Sequence, residues 1–295
     1  MLQKLLMSLT IFTPTYNRAN NLPALYKSLC RQTCKDFEWL IVDDGSTDNT
    51  SDIVRNWQKS DIVKIRYVKQ QNGGKHRAIN RGVTECSSDL FFIVDSDDFL
   101  TEDAVEWISG ESDSVMADKN LAGLSGTRIS PDGSRIGGVE GFSTIETSYL
   151  NLRLYERISG DMAEIYKTDV LKAYPFLEFD GEKFCPEALV WNRISQKYKV
   201  RFVNKGIYVC EYLPGGLTDR IIKIRHDSPL TSMVYYSELV HYEIPLVQKL
   251  KGSINYWRFA PFKYYSLCAK HKMLSFISLL SLPVGLLYRF KDSIQ

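Results

Sequence analysis

No uncharged run in these 295 residues is long enough to cross a bilayer as a helix. Residues 273–288 come nearest, but sixteen positions interrupted by Pro283 and Gly285 fall short of the ~20 that a span needs. Cysteine is sparse and scattered. Cys30 and Cys34, the nearest pair, have neither a second pair nor histidines to complete a zinc site, which points to free thiols in a reducing cytosol. A signal-peptide pattern is missing, because the apolar residues 8–12 run out at Thr13-Pro14. The net charge of +2 is too small a surplus for general nucleic-acid binding. There is no P-loop, since Gly73-Gly74-Lys75 is followed by His76 and lacks the earlier glycine, and no Gly-x-Gly-x-x-Gly follows a strand-like run. Residues 95–106 carry acids in part of a calcium-loop pattern, but Leu100 stands where the sharp-turn glycine belongs, which excludes an EF-hand. Internal repeats and low-complexity segments are absent as well.

What the sequence does have is alternation. Apolar runs at 8–12, 37–42, 63–68 and 90–94 read as strands. Between them lie helical patterns: Leu22, Leu25, Tyr26 and Leu29 at i, i+3, i+4, i+7; a helix through Ile53, Val54 and Trp57; and a helix over 75–83. This order predicts an α/β fold with a mostly parallel sheet and helices on both faces, and such sheets bind ligands outside the carboxyl ends of their strands.

Three of those ends carry polar, chemically useful residues. The first strand leads into a loop over residues 13–18, the second ends at Asp43-Asp44-Gly45-Ser46, and the fourth ends at Asp95-Ser96-Asp97-Asp98. Three carboxylates within four positions repel one another and need a compensating positive charge. Hard oxygen ligands at a strand end suit Mg²⁺ or Mn²⁺ carrying a phosphate, whereas the plainer alternative is a solvated Asp-rich turn.

Beyond Thr101 the pattern loosens, with a strand expected over 121–129, a turn at Pro131-Asp132-Gly133, a strand running into a helix over 160–170, and a last strand region over 200–212. Phe184-Cys185-Pro186-Glu187 precedes an apolar helix and places Glu187 in its first turn. From about Asp219 the chain turns helical, aromatic and basic. Residues 273–288, flanked by Lys270, His271, Lys272, Arg289 and Lys291, read as an in-plane anchor on an anionic membrane face. Tyr256, Trp257, Phe262, Tyr264 and Tyr265 are then expected at headgroup level, and the alternative is a helix packed on the domain or on a second subunit. The expected division is 1–100, 101–218 and, as a helical extension, 219–295.

Thr13 to Arg18, Val42 to Asp48, Asn72-Gly73-Gly74-Lys75 with Ala78 and Asn80, and Asp95 to Asp98 together resemble the family 2 glycosyltransferases of GT-A fold, in the family's order and spacing. The resemblance implies a Rossmann-like GT-A domain that transfers a sugar, with inversion, from a nucleoside diphosphate, with 1–100 as its nucleotide-sugar-binding half and 101–218 as its acceptor-binding half. Thr13, Pro14, Tyr16 and Arg18 then form the first nucleotide loop, with the tyrosine ring against the base. Asp44 matches the acid that pairs with the uracil imide and so implies a UDP-sugar donor, while Asp43 orients the loop. Gly74 and Lys75 let backbone and ammonium approach the nucleotide. Asp95, Ser96 and Asp97 match the Asp-x-Asp motif, with Asp95 and Ser96 on the donor, Asp95 towards ribose and metal, Asp97 the direct metal ligand and Asp98 sharing the metal role, with Mn²⁺ or Mg²⁺ as the ion. Glu187 matches the general base, although Ala188 stands where an Asp often follows; Asp161 and Glu182 are the other acids considered. Trp191 is either a sugar-stacking ring or core. The implied acceptor is a hydroxyl of a glycan or lipid-linked saccharide in cell-surface polysaccharide synthesis, at the cytoplasmic face of the membrane, with membrane contact through 256–291, no nucleic-acid partner, and oligomerisation left open. A Mg²⁺-dependent nucleotidyl- or phosphotransferase and a non-catalytic nucleotide-sugar binder would use the same acids.

Overall fold

The structure is a computed structural model that describes residues 8–137, 142–210, 220–261 and 276–294. The chain divides into two compact units, one of Met1–Pro175 with Val190–Tyr212 and one of Phe176–Leu189 with Leu213–Gln295. The composition-based boundary at 219 differs from this at Phe176–Leu189, which goes with the C-terminal helices.

The first unit contains one nine-stranded sheet. Its opening half is β1 (Leu9–Thr15), α1 (Leu22–Cys30), β2 (Phe37–Asp43), α2 (Thr50–Ser60), β3 (Ile65–Lys69), α3 (Lys75–Glu85) and β4 (Leu90–Ile93). Then come β5 (Phe99–Leu100), α4 (Ala104–Ala117), β6 (Leu121–Ile129), β7 (Thr144–Thr147), α5 (Tyr149–Leu154), β8 (Met162–Lys167), α6 (Thr168–Ala173), α7 (Glu187–Ile194), whose residues as far as Leu189 fall in the second unit, and β9 (Lys199–Val209). The strand order is β3-β2-β1-β4-β8-β6-β9-β5, with β7 against β9. β3, β2, β1 and β4 run parallel, whereas β8 is antiparallel to both β4 and β6.

Burial explains the apolar runs. Ile11, Phe12, Leu40, Ile41, Phe91 and Phe92 are fully enclosed, as expected where helices cover both faces of a parallel sheet. Helix α1 buries Leu22, Leu25 and Leu29, and Tyr26 stacks on Trp57 at 4.3 Å to close the packing over Trp39. Strand β1 is longer than the sequence suggests. It pairs with β4 only as far as Phe12 but with β2 as far as Thr15, so Pro14 sits where one flank needs no ladder hydrogen bond. The succession β2-β1-β4 brings the carboxyl ends of three strands together where the strand order reverses, the usual ligand position in open α/β sheets.

The second unit contains α8 (Ile221–Asp227), α9 (Pro229–His241), α10 (Leu246–Phe259) and α11 (Phe276–Ile294). Its core is Met233, Tyr256, Trp257 and Ala260, with Tyr236 and Leu282 against it. This corrects two membrane-facing expectations, because Tyr256 and Trp257 are buried and the indole donates to Ser278 O at 2.5 Å. Phe262, Tyr264, Tyr265, Lys270, His271 and Lys272 lie outside the described residues. Phe176–Leu189 is tied to these helices by Glu182, whose carboxylate accepts the N–H groups of Leu230 and Thr231 at 2.6 and 2.9 Å and the Thr231 hydroxyl at 2.7 Å. A carboxylate satisfying the orphan donors of a helix start gains from the helix dipole as well.

Candidate functional site

The acid turn begins where β4 ends. Val94 N–H donates to Phe12 O, Asp98 N–H donates back to Asp95 O, and the three carboxylates diverge from this tight loop. Each meets a different cation: Lys75 Nζ lies 2.6 Å from Asp95, Arg18 3.5 Å from Asp97, and Arg128 3.7 Å from Asp98. The compensating positive charge foreseen in the sequence is thus partly supplied by the chain itself. Lys75 stands at the start of α3, after β3, and Arg18 on the loop after β1, so cations from two other strand ends converge on the acids. Burial pushes the Asp95 carboxyl up, but Lys75, Arg128 and Arg18 outweigh it and hold the group below the usual range. Burial pushes Asp98 up to about 7, with Asp95 and Asp97 adding to the effect against the pull of the Tyr208 hydroxyl and Arg128.

Two of the residues around Asp98 were not singled out from the sequence. Arg128 and Tyr208 are register partners on β6 and β9, and the guanidinium lies 4.2 Å from the tyrosine ring centre. Tyr208 is opposite Leu100 of β5, directly after the acid turn. Its hydroxyl accepts from Asp95 N–H at 2.9 Å and donates to Asp98 Oδ2 at 2.7 Å. Arg128 Nε also donates to Met162 O, so both ends of the guanidinium are held. The available signal was a lone cation, Arg128, near the end of an otherwise uncharged strand.

The second strand end is built around Asp44, which is buried. Oδ1 accepts from Gln70 Nε2 at 2.8 Å and Gly73 N–H at 2.9 Å, and Oδ2 from Gly74 N–H at 2.7 Å and Asn72 Nδ2 at 3.2 Å. These four donors match the four lone-pair sites of a carboxylate. Gly74 has φ +99°, which an L side chain rarely adopts, and a Cβ on Gly45 would lie 2.9 Å from Asn72 N, so glycine is needed on both sides of this loop junction. Asp43 accepts from Ser46 N–H and the Tyr67 hydroxyl and braces the turn, as anticipated.

The first loop interlocks with the second. Asn17 N–H donates to Ser46 Oγ at 2.8 Å, Thr47 N–H donates to Asn17 Oδ1 at 2.8 Å, and Ala19 N–H donates to Asp48 Oδ2 at 3.0 Å. Asn17 takes φ +52° to do this. The result leaves Tyr16 48% exposed beside the junction. Thr13 and Pro14 differ from expectation. Both lie buried within β1 rather than on the loop, and Thr13 Oγ1 accepts the indole N–H of Trp39 at 2.9 Å. Ser96 is buried within the acid turn.

Glu187 opens α7 and is half-buried, and it belongs to the second unit. Glu182 is committed to the start of α9, which accounts for it without chemistry. Trp191 stacks on Tyr166 at 4.4 Å and is buried, so of its two readings core is the one observed. Asp161 is exposed and contributes to the field at Arg128.

Among the described residues no three or more His, Cys, Asp or Glu side chains converge as a complete metal cage. The fit is instead to an ion that takes one or two carboxylates and draws its other ligands from phosphate and water, the habit of Mg²⁺. Asp97 and Asp95, 35% and 26% exposed, are open enough for this, while Asp98, with only 11% of its side chain exposed, lies behind them.

Residues 10–114 match the family model described as Glycosyl transferase family 2. The chain is 26% identical over 226 residues to glycosyltransferase GlyA of Streptococcus pneumoniae, covering 71% of this chain and 31% of that protein. It is 35% identical over 203 residues to the chondroitin synthase of Pasteurella multocida, covering 68% of this chain and 20% of that protein. The chain thus spans a third or less of these curated relatives. Among solved structures, S. aureus TarS 1-349 in complex with UDP-GlcNAc superimposes with a TM-score of 0.64 at 17% identity, covering 98% of this chain and 93% of that one, a likeness of fold.

Proposed function

The chain carries a glycosyl transferase family 2 domain of GT-A fold, and from that premise we propose that it is an inverting, metal-dependent glycosyltransferase using a UDP-sugar. One observation carries the reading: the acid turn after β4 and the Asp44 junction after β2 flank the end of β1, so a nucleotide base and a diphosphate have adjacent seats on one sheet edge. Tyr16 offers an exposed ring to a base. Asp44 is the acceptor for the uracil imide, with one of the movable amides of Gln70 or Asn72 exchanging for it while the Gly73 and Gly74 N–H groups keep the carboxylate in place. The relative with UDP-GlcNAc bound supports a uridine donor in this fold.

Asp97 and Asp95 are the proposed metal ligands, and a divalent ion held there with the diphosphate supplies electrostatic stabilisation of the departing group. Lys75 and Arg18 stand beside the same acids and can pass from carboxylate to phosphate when a donor binds. Asp98 keeps the turn in shape from behind. Glu187 is the proposed general base, on the match of its sequence context, and removes the proton from the attacking acceptor hydroxyl as that oxygen bonds to the anomeric carbon and the diphosphate leaves. The proposed acceptor is a hydroxyl of a glycan or lipid-linked saccharide in cell-surface polysaccharide synthesis, at the cytoplasmic face of the membrane.

The test is a panel of UDP-, GDP- and dTDP-sugars with Mn²⁺ or Mg²⁺, scored for slow donor hydrolysis. Hydrolysis confined to UDP donors and abolished by chelation supports the reading. Equal use of all three bases contradicts the role given to Asp44, and hydrolysis that survives chelation contradicts the metal.

A further inference from the structure

Helix α11 has two unlike faces. Its packed face is made of small residues, Ser278, Ser281 and Gly285, all buried at i, i+3, i+7 spacing. A Cβ added at Gly285 would lie 2.4 Å from Trp257 Cβ, so α11 approaches α10 as closely as backbone allows, and this face is fixed. At the far end Asp292 receives a bidentate pair of hydrogen bonds from Arg258 at 2.6 and 2.7 Å, which locks the rotation of the helix about its axis.

The opposite face is therefore held outward within its unit, and it is apolar. Phe276, Leu279, Leu280, Leu287, Phe290 and Ile294 are 56–75% exposed, and Phe276, Leu280, Leu287, Phe290 and Ile294 follow one stripe along the helix. Single exposed apolar residues need no explanation, but a continuous stripe of this kind marks an interaction surface. From Phe276 to Phe290 no exposed position carries a charge, and the first exposed charge is the cation Lys291.

Two features choose the occupant. Residues 220–295 contain eleven Lys and Arg against four Asp and Glu, in a chain whose total surplus is only +2. A two-fold dimer through this helix would set one basic unit against its own copy, where like charges repel, whereas anionic lipid headgroups neutralise the same charges. Spanning is excluded for α11 itself, because no helix among the described residues is long and apolar enough to cross a membrane. We propose that the exposed stripe of α11 docks in the plane of an anionic lipid leaflet, with Phe276, Leu280 and Leu287 entering the acyl boundary and Lys291 among the headgroups. This replaces the buried Tyr256 and Trp257 as the membrane contact. It narrows the membrane-face part of the proposed function and does not depend on glycosyl transfer.

Flotation of the full chain with vesicles tests it. Phosphatidylcholine vesicles containing phosphatidylglycerol should carry the protein up, vesicles of phosphatidylcholine alone should not, and raised salt should release it. The double variant Leu280→Asp, Leu287→Asp, whose substituted side chains face away from α10, should lose binding by at least about tenfold with its circular dichroism unchanged. Lys291→Glu should weaken binding to anionic vesicles without abolishing it. The proposal is overturned if the wild type stays unbound, if it binds neutral and anionic vesicles equally, if the double variant floats as well as the wild type, or if the wild type is a dimer that the double variant dissociates. Uridine diphosphate binding measured without vesicles reports on the donor site separately.

Discussion

The hydroxyl of Tyr208 donates to Asp98 Oδ2 at 2.7 Å and itself accepts the backbone N–H of Asp95 at 2.9 Å, so one side chain from the far half of the sheet holds both ends of the acid turn. The register of β6, β9 and β5 fixes this arrangement, since Tyr208 is opposite Arg128 on one side and Leu100 on the other. Tyr208→Phe keeps the ring and removes the two hydrogen bonds. Leaving the buried partners unsatisfied costs about 1–3 kcal/mol, which is expected as a modest loss of stability in denaturant titration. The more telling loss is in metal-dependent UDP affinity, which should fall by about tenfold, because a merely structural defect would not act selectively on the metal-dependent part.

Asp98 makes the stability of the metal-free chain depend on pH. Its folded carboxyl titrates at about 7, above its ordinary range, so the folded state holds a proton that the unfolded state has already released. The stabilisation from that proton is complete below the unfolded value of about 4 and is lost as pH rises through about 7. Asp98→Asn keeps a carbonyl oxygen for Tyr208 and removes the titration. Urea denaturation from pH 5 to 8 should show wild-type stability falling more steeply than that of the variant, and parallel curves would contradict this assignment.

Asp44 joins two loops through four donors, so Asp44→Ala should act on structure and on recognition together. Stability should drop by about 1–3 kcal/mol as the Gly73 and Gly74 N–H groups lose their acceptor. Discrimination between UDP and GDP should shrink at the same time, measured as the ratio of their dissociation constants.

Much of this site is visible in the linear sequence because a parallel βα unit places its ligand-facing residues at strand ends. Asp95 to Asp98, Asp44 and Arg18 each follow an apolar run, and their convergence follows from the alternation of elements alone. Thr13 and Pro14 were misplaced because the extent of β1 is set by its partner: β2 continues to Asp43, and no local feature of residues 13–15 announces it. Arg128 and Tyr208 are further from reach. Their meeting depends on the register of strands some eighty residues apart, across a half-sheet that mixes parallel and antiparallel pairs. Tyr256 and Trp257 show the same limit in the helical unit, where aromatic residues near cations suit either a headgroup layer or a core, and the close approach at Gly285 decides for the core.

Glu182 and Glu187 separate by experiment. Glu182→Ala removes the acceptor from the start of α9 and should destabilise the chain by about 1–3 kcal/mol. Glu187→Gln should leave stability and UDP binding near wild type while turnover falls by at least about a hundredfold, as expected for removal of a general base. Stopped-time transfer assays alongside calorimetric UDP binding distinguish the two outcomes.

In the proposed function the turn at the end of β4 holds the donor diphosphate through a metal. Calorimetric titration of UDP into the wild type and Asp97→Asn, each with Mn²⁺ and with chelator, tests it most directly. The wild type should bind UDP at least about tenfold more tightly with Mn²⁺ than without, and Asp97→Asn should lose this difference while retaining the weak metal-free binding. Equal affinity with and without Mn²⁺ in the wild type, or an undiminished Mn²⁺ effect in Asp97→Asn, would contradict it.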